Sequence, residues 1–231
     1  MNRIIIWVAA VAIVAGMAMA EPTTAPAEKS PAATLPKPRI VPASWELKLD
    51  YQNPQPITLC LAGETKPQTF WYVLYRVTNE TGKDQIFVPD FVLYTDTGQI
   101  LRAGEKVPSE VFTAIQKRHN DPLLLDQAHI TGKILQGQDN FKGGVAIWRD
   151  IDPNARSFDI FIGGMSGERV KVKLPEPVKV TVIDAEGNKQ ETTTDEAILA
   201  KTLQLHFWLP GEAAARSANT PQLEKKEWVM R

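Results

Sequence analysis

Cysteine is nearly absent from the sequence, since Cys60 is the only one among 231 residues. A single thiol cannot form an intramolecular disulfide, so the hydrophobic core must hold the fold together without one. Cys60 alternates with Ile57, Leu59 and Leu61 and is therefore predicted to be a small, half-buried side chain on the opposite face of a strand. No cysteine lies near the N-terminus, which excludes a lipid-modified cysteine at a cleavage point.

An excess of charge of either sign is also lacking. Lys and Arg number 26 and Asp and Glu number 27, so the formal net charge is −1. Such a balance creates no long-range field that would attract nucleic acid or an anionic membrane. Nucleic acid is therefore excluded as an expected partner, and contact with a membrane is expected only through an uncleaved N-terminal segment.

Residues 1–20 have the three parts of a secretory signal peptide. Arg3 provides a positive head, an uncharged run extends from Ile4 to Ala20, and Ala18 and Ala20 form the cleavage pattern. The run of about 17 residues is near the shortest that can cross a bilayer, so an uncleaved anchor is the alternative. The protein is expected to be exported and periplasmic or extracellular, or membrane-anchored if this leader stays in place.

The remaining chain divides into three segments by composition. Residues 21–43 contain six prolines among Ala, Thr, Glu and Lys and are predicted to form a disordered linker. Residues 44–210 are predicted to form one β-sandwich domain. Residues 211–231 show no clear hydrophobic period and are predicted to be a loosely ordered tail, with Trp228 docking on the domain.

Apolar and charged residues alternate from Trp45 to Tyr51, and this pattern recurs in about ten short segments separated by turn residues. Residues 70–77 are apolar on both faces, which predicts a central strand. The period changes to 3.6 from Pro108 to His119. The sequence therefore predicts a mainly β, antiparallel sandwich with a helical insertion around residues 108–130, packed on a sheet edge.

Several of these segments together resemble a known group of proteins. An aromatic strand runs into a Val-x-Asn turn at residues 70–79, a Pro-x-Phe-x-Leu strand follows at 89–93, and an Asp-x-Gly hairpin at 96–98. With the glycine-rich segments at 143–148 and 161–164, the chain resembles uncharacterised exported proteins of planctomycete-type bacteria. This resemblance implies an immunoglobulin-like β-sandwich but does not imply any particular activity.

One short segment resembles the start of a calcium loop. Asp150, Asp152 and Asn154 place oxygen ligands at alternate positions. A complete loop requires glycine at its sixth position and a carboxylate at its twelfth, but Ala155 and Phe161 occupy them. A tight turn between two strands is therefore favoured over a calcium site.

No arrangement of reactive side chains in the sequence predicts catalysis. Ser166 is followed at the second position by Glu168, where a nucleophile elbow requires glycine. The only histidines, His119, His129 and His206, lack the three- or four-residue spacing of a helical metal pair. We therefore expect neither an enzyme nor a bound cofactor.

Trp71, Tyr72, Tyr75 and Trp148 lie at strand spacing and form either core or an aromatic platform. If these side chains form the core, we expect a monomeric, non-catalytic module that binds another envelope protein or has a structural role. The alternative is a carbohydrate or small-ligand binder that uses Trp71, Tyr75 and Trp148 beside the helical insertion.

Removal of the leader gives the first testable prediction. Protein purified from the envelope of the cells that produce it is expected to begin at Glu21, because Ala18 and Ala20 fit a signal peptidase. Intact-mass analysis checks this start. A mass that still includes residues 1–20 would favour the anchored alternative.

Overall fold

The computed structural model describes residues 36–183, 188–213, 216 and 219–231. The predicted signal peptide, with Ala18 and Ala20, lies outside the described residues. The described chain is mainly β and antiparallel with two short helices, as the sequence predicts. Its elements are β1 (Lys48–Tyr51), β2 (Gln55–Leu59), β3 (Gln68–Asn79), β4 (Gln85–Phe87), β5 (Asp90–Thr95), β6 (Ile100–Arg102), α1 (Ser109–His119), α2 (Gln127–Ile130), β7 (Gly132–Ile134), β8 (Gly137–Arg149), β9 (Ser157–Gly163), β10 (Arg169–Ile183), β11 (Lys189–Trp208) and β12 (Gln222–Met230).

The first sheet is built around β3. β1 and β2 pair with successive halves of β3 along one of its edges, and β8 pairs along the other. Trp71 of β3 lies opposite Pro56 of β2 and Trp148 of β8. Pro56 has no N–H to donate and lies on an edge strand, where this loss is tolerated.

The second sheet has the order β10, β11, β9, β5, β6, and β12 pairs with the C-terminal part of β11. The predicted hairpin at Asp96-Thr97-Gly98 joins β5 to β6, and Gly98 adopts a φ of 89° there. Only glycine enters this region without steric cost, which explains the Asp-x-Gly pattern. A separate two-stranded sheet forms between β4 and β7.

The hydrophobic core lies between the two larger sheets. Alternation in β9 shows how it is built, because Phe158, Ile160 and Ile162 are buried while Asp159 and Phe161 between them are half-buried on the other face. Both sheets contribute to one cluster of buried residues, so they pack face to face. Its members in the strands of the two larger sheets include Trp71, Val73, Tyr75, Val77, Phe91, Leu93, Trp148, Phe158, Ile160, Ile162, Leu203, Leu205 and Phe207.

The helical insertion packs on the outer face of the first sheet, whereas the sequence analysis placed it at a sheet edge. Val111 and Ile115 of α1 are fully buried in a second cluster with Phe70 and Tyr72 of β3. This packing explains why β3 is apolar on both sides. Asn120 follows the last residue of α1, and its left-handed conformation lets its N–H reach carbonyls of the last turn.

The N-terminal segment joins the domain before the predicted linker ends at residue 43. The backbone N–H of Arg39 donates to Glu168 Oε1 at 3.0 Å, and the backbone carbonyl of Arg39 accepts from Lys201 Nζ at 3.4 Å. The prolines around Arg39 lack N–H groups, but Arg39 itself keeps both a donor and an acceptor. The linker prediction for residues 21–35 falls outside the described residues.

Lys201 is the centre of a buried charged cluster that holds this segment. Its side chain is 2% exposed, and Nζ lies 2.9 Å from Glu46 Oε2 and 3.5 Å from Glu168 Oε2. The Trp228 ring lies 5.0 Å from Nζ and completes the cluster. The N-terminal segment, β11 and β12 therefore meet at one group of opposite charges.

The C-terminal segment is more ordered than predicted. Residues 222–230, which the sequence analysis assigned to a loose tail, form β12, and Trp228 packs against the core opposite Leu203. Arg216 is also buried and donates to the carbonyls of Asn154 and Ala155. Most of β12 is exposed because it borders the sheet, so its sequence carries little hydrophobic period.

The buried ion pairs predict the effect of removing Lys201. Lys201→Met is expected to lower the free energy of unfolding by about 3–5 kcal/mol, because it leaves two carboxylates without their cation. Urea denaturation followed by circular dichroism measures this loss. Lys171→Met is the control, since the exposed pair of Lys171 with Glu196 is worth about 1 kcal/mol or less. Similar losses in the two variants would contradict the role of the cluster.

Candidate functional site

β10 and the first part of β11 form a two-stranded ribbon, which we call the arm (residues 169–200). Pairing runs from Arg169 opposite Ala200 to Ile183 opposite Lys189. About 12 residues per strand at 3.3 Å give a length on the order of 40 Å. None of the side chains described between residues 171 and 200 is buried. The arm is therefore the most solvent-exposed long element of the described chain.

Alternating residues give the arm two different faces. In its distal part Val178 and Val180 lie opposite Thr194 and Thr192, whereas Lys179 lies between them on the other face. Val178 is 43% exposed. The arm thus presents β-branched side chains that no other part of the described chain covers.

Prolines interrupt the pairing in the middle of the arm. The register shifts between Lys173 and Val178, where the sequence is Leu174-Pro175-Glu176-Pro177. Proline cannot donate to a strand ladder, so the two prolines account for the irregularity. Among the described residues β10 pairs only with β11, and residues 189–199 of β11 pair only with β10, whereas Ala200 also exchanges backbone hydrogen bonds with Arg231. Both outer edges of the arm therefore have backbone groups available for another strand.

The three aromatic residues proposed as a binding platform lie in the core. Trp71, Tyr75 and Trp148 are 6%, 4% and 0% exposed. Burial, with a smaller contribution from the nearby Asp126 carboxylate, raises the pKa of Tyr75 far above its usual value. These residues pack between the sheets and are not accessible to a ligand, so the structure assigns them to the core.

The calcium candidates are engaged in a turn. Asp152 Oδ1 accepts hydrogen bonds from the backbone N–H of Asn154 at 2.9 Å and from its side chain at 3.1 Å. The first of these bonds is the main cause of the lowered pKa of Asp152. Asp150 Oδ2 lies 3.0 Å from Arg149 Nε. Within the described residues no group of three His, Cys, Asp or Glu side chains is placed to hold a metal ion.

The histidines lie in three separate places. His119 Nε2 is 2.9 Å from the Tyr72 hydroxyl, and His129 Nδ1 is 2.7 Å from Asp126. His206 contacts Asp159 at 2.9 Å. Each histidine therefore has its own local partner, and the structure does not bring them together.

Two further sequence predictions concern single side chains. Cys60 is exposed, not half-buried, because it lies at the end of β2 where the chain turns away from the sheet.

Ser166 is buried, and its Oγ accepts the backbone N–H of Glu168 at 3.1 Å. This bond stabilises the loop between β9 and β10.

A cleft of about 500 Å³ lies between the helical insertion and the first sheet, and we call it the insertion cleft. Its apolar wall includes Phe112 of α1 with Val145 and Ile147 of β8. Asp126 and Gln127 lie at the polar side. The sequence analysis looked for a ligand site beside the insertion but missed these residues, because only the packing of α1 and α2 brings them to the same face of β8.

Comparisons with known proteins give no further assignment. No protein-family model, curated protein or solved structure matches the chain. Among the helices of the described residues, none has the length and apolar composition needed to cross a bilayer.

The burial of the tryptophans predicts very different effects for two substitutions. Trp148→Ala is expected to lower the free energy of unfolding by about 3–5 kcal/mol, because it empties a large site in the core. Trp208→Ala, at a residue 40% exposed, is expected to cost about 1 kcal/mol or less. Chemical denaturation of both variants measures the difference. Equal costs would be inconsistent with Trp148 as a core residue.

Proposed function

We propose that the protein is an exported, monomeric, non-catalytic module of the cell envelope that binds another protein through its arm. The observation that carries this proposal is the exposure of an amphipathic ribbon with open edges. A partner strand can add to such an edge through backbone hydrogen bonds, while pockets for alternate side chains provide specificity.

The architecture supports an immunoglobulin-like domain as the scaffold of the arm. Two antiparallel sheets enclose one core, and the helical insertion packs outside this core. The arm extends β11, whose other half, from Lys201 to Trp208, is anchored between β9 and β12. The arm therefore continues directly from a segment of β11 that is paired on both sides.

Export is supported by the signal peptide pattern at residues 1–20, which places the domain in the periplasm or outside the cell. The proline-rich composition of the residues between this leader and the domain supports a linker there. The non-catalytic reading is supported by the position of Ser166, which is buried and whose Oγ accepts the backbone N–H of Glu168 within a loop.

Photo-crosslinking tests the arm as the binding element. A benzophenone amino acid is placed at Val178 in one variant and at the neighbouring Lys179 in a matched control. In cells that produce the protein, illumination is expected to give a protein adduct from position 178 and little from 179, because the two side chains point to opposite faces. Mass spectrometry of the adduct identifies the partner.

A third variant carries the same crosslinker at Tyr94, which is 41% exposed on the second sheet. Equal adducts from positions 94 and 178 would indicate random encounters. If position 178 gives no adduct in cells that export the protein normally, the arm is not the binding element.

A further inference from the structure

The open edge of β11 begins where its pairing with the C-terminal strand ends. Ala200 exchanges two backbone hydrogen bonds with Arg231, at 2.7 and 3.0 Å, while the N–H of Lys201 donates to Glu168 on the opposite side at 3.0 Å. Successive residues of a strand direct their backbone groups to opposite edges, so the N–H and carbonyl of Ile198 face the same side as those of Ala200. Among the described residues, no strand pairs with Ile198 on that side. Ile198 therefore has the first open backbone groups of this edge.

Thr194 occupies the next backbone groups along the same edge, those of Glu196. Its Oγ1 accepts a hydrogen bond from the N–H of Glu196 at 3.1 Å and donates one to the carbonyl of Glu196 at 3.2 Å. One hydroxyl thus meets both groups that a neighbouring strand would use. Local bonds of this kind are an alternative to strand pairing. The Thr194 hydroxyl therefore acts as a cap on the open edge.

The outer edge of β10 is less suited to pairing with a further strand. Pro175 and Pro177 have no N–H to donate, and the pairing of β10 is irregular between Lys173 and Val178. Residues 189–200 of β11 contain no proline. A strand that adds to the arm can therefore form more backbone hydrogen bonds with β11 than with β10.

The side chains at the β11 edge indicate the chemistry of such a strand. Ile198 is 60% exposed, and the side chain of Glu196 is 55% exposed. Lys171 lies 3.4 Å from Glu196, but it belongs to β10 and so lies on the other side of β11 from the open edge. Directly opposite residues stabilise a pair of strands. An added strand is therefore favoured by a β-branched residue opposite Ile198 and by Lys or Arg opposite Glu196.

We propose that the partner of the arm adds to this edge of β11 as an antiparallel strand in line with β12, and that it displaces the Thr194 hydroxyl from Glu196. The strand carries a β-branched residue opposite Ile198 and a basic residue opposite Glu196. This inference rests on the proposed function of the arm, and it specifies the edge, the direction and the chemistry of the partner. Because the bonds of the cap must break first, the hydroxyl weakens binding.

A short peptide tests the edge on the purified protein. The probe is Thr-Val-Thr-Lys-Thr-Val-Thr with blocked ends, and the matched peptide has Glu in place of Lys. Titration followed by nuclear magnetic resonance measures both affinities, and hydrogen exchange at the Ile198 amide is expected to slow when the probe binds. The Lys peptide is expected to bind at least about fivefold more tightly than the Glu peptide.

Replacement of Thr194 tests the cap. Thr194→Val keeps the shape of the side chain but frees the N–H and carbonyl of Glu196, so it is expected to strengthen binding of the Lys peptide by about threefold to tenfold. Thr192→Val makes the same change two residues away and is expected to alter the affinity by less than about twofold. Circular dichroism confirms that both variants fold.

Replacement of Ile198 tests the position of the added strand. Ile198→Pro removes an N–H on the open edge, while Ala197 and Leu199 keep their backbone groups directed to β10. Binding of the Lys peptide is expected to weaken by at least about tenfold. Ile198→Val keeps the N–H and is the matched control, with a change of less than about twofold. Slow hydrogen exchange at Leu199 confirms that the arm stays paired in both variants.

The crosslinker at Val178 separates this inference from the proposed function. An added strand on β11 lies two strand spacings from β10, which is about 10 Å. In cells the adduct is expected to fall at least about fivefold with Ile198→Pro and to stay within about twofold with Ile198→Val. Equal adducts in both variants would show that the partner binds elsewhere on the arm, so only the edge inference fails. If position 178 gives no adduct with Ile198 in place, the proposed function itself fails.

Three results with the peptides would overturn the inference directly. Equal affinity for the Lys and Glu peptides would show that Glu196 does not select a basic strand. Unchanged affinity in Thr194→Val would show that the hydroxyl is not a cap. If the Lys peptide leaves exchange at the Ile198 amide unchanged, the edge of β11 does not accept a strand.

Discussion

The burial of β3 on both faces is the constraint on which the rest of the structure depends. Trp71 and Tyr75 face the second sheet, while Phe70 and Tyr72 face α1. A strand with apolar side chains on both sides cannot remain at a surface, so it requires two covering layers. The second sheet covers one side and the helical insertion covers the other. The insertion is therefore part of the packing of this fold.

The edges of the sandwich are closed by polar interactions that join distant parts of the chain. Lys201 forms ion pairs with both Glu46 and Glu168. The backbone of Arg39 donates to Glu168 through its N–H and accepts from Lys201 through its carbonyl. Buried ion pairs of this kind add little net stability but are costly to break, so they fix which segments meet. Arg216 fixes the C-terminal segment in the same way, through carbonyl groups near Ala155.

Both candidate binding features arise where a layer extends beyond its neighbour. β10 and β11 continue past the region covered by other strands, and this leaves the arm exposed. The insertion cleft lies where residues of α1 and α2 border β8, beside the buried side chains of Val145 and Ile147. The arm and the insertion cleft are thus both places where neighbouring elements do not pack fully against each other.

The sequence by itself determined that the fold is mainly β and antiparallel, because alternation with period two and the Asp96-Thr97-Gly98 turn are local signals that burial and backbone geometry enforce directly. It also located α1. Tertiary structure alone decided which face α1 covers, that residues 222–230 form a strand, and that Trp148 is core. It also placed Gln127 and Phe112 in the lining of one cleft. Such contacts join residues far apart in the chain, and an edge strand or a cleft has no periodic pattern that marks it in advance.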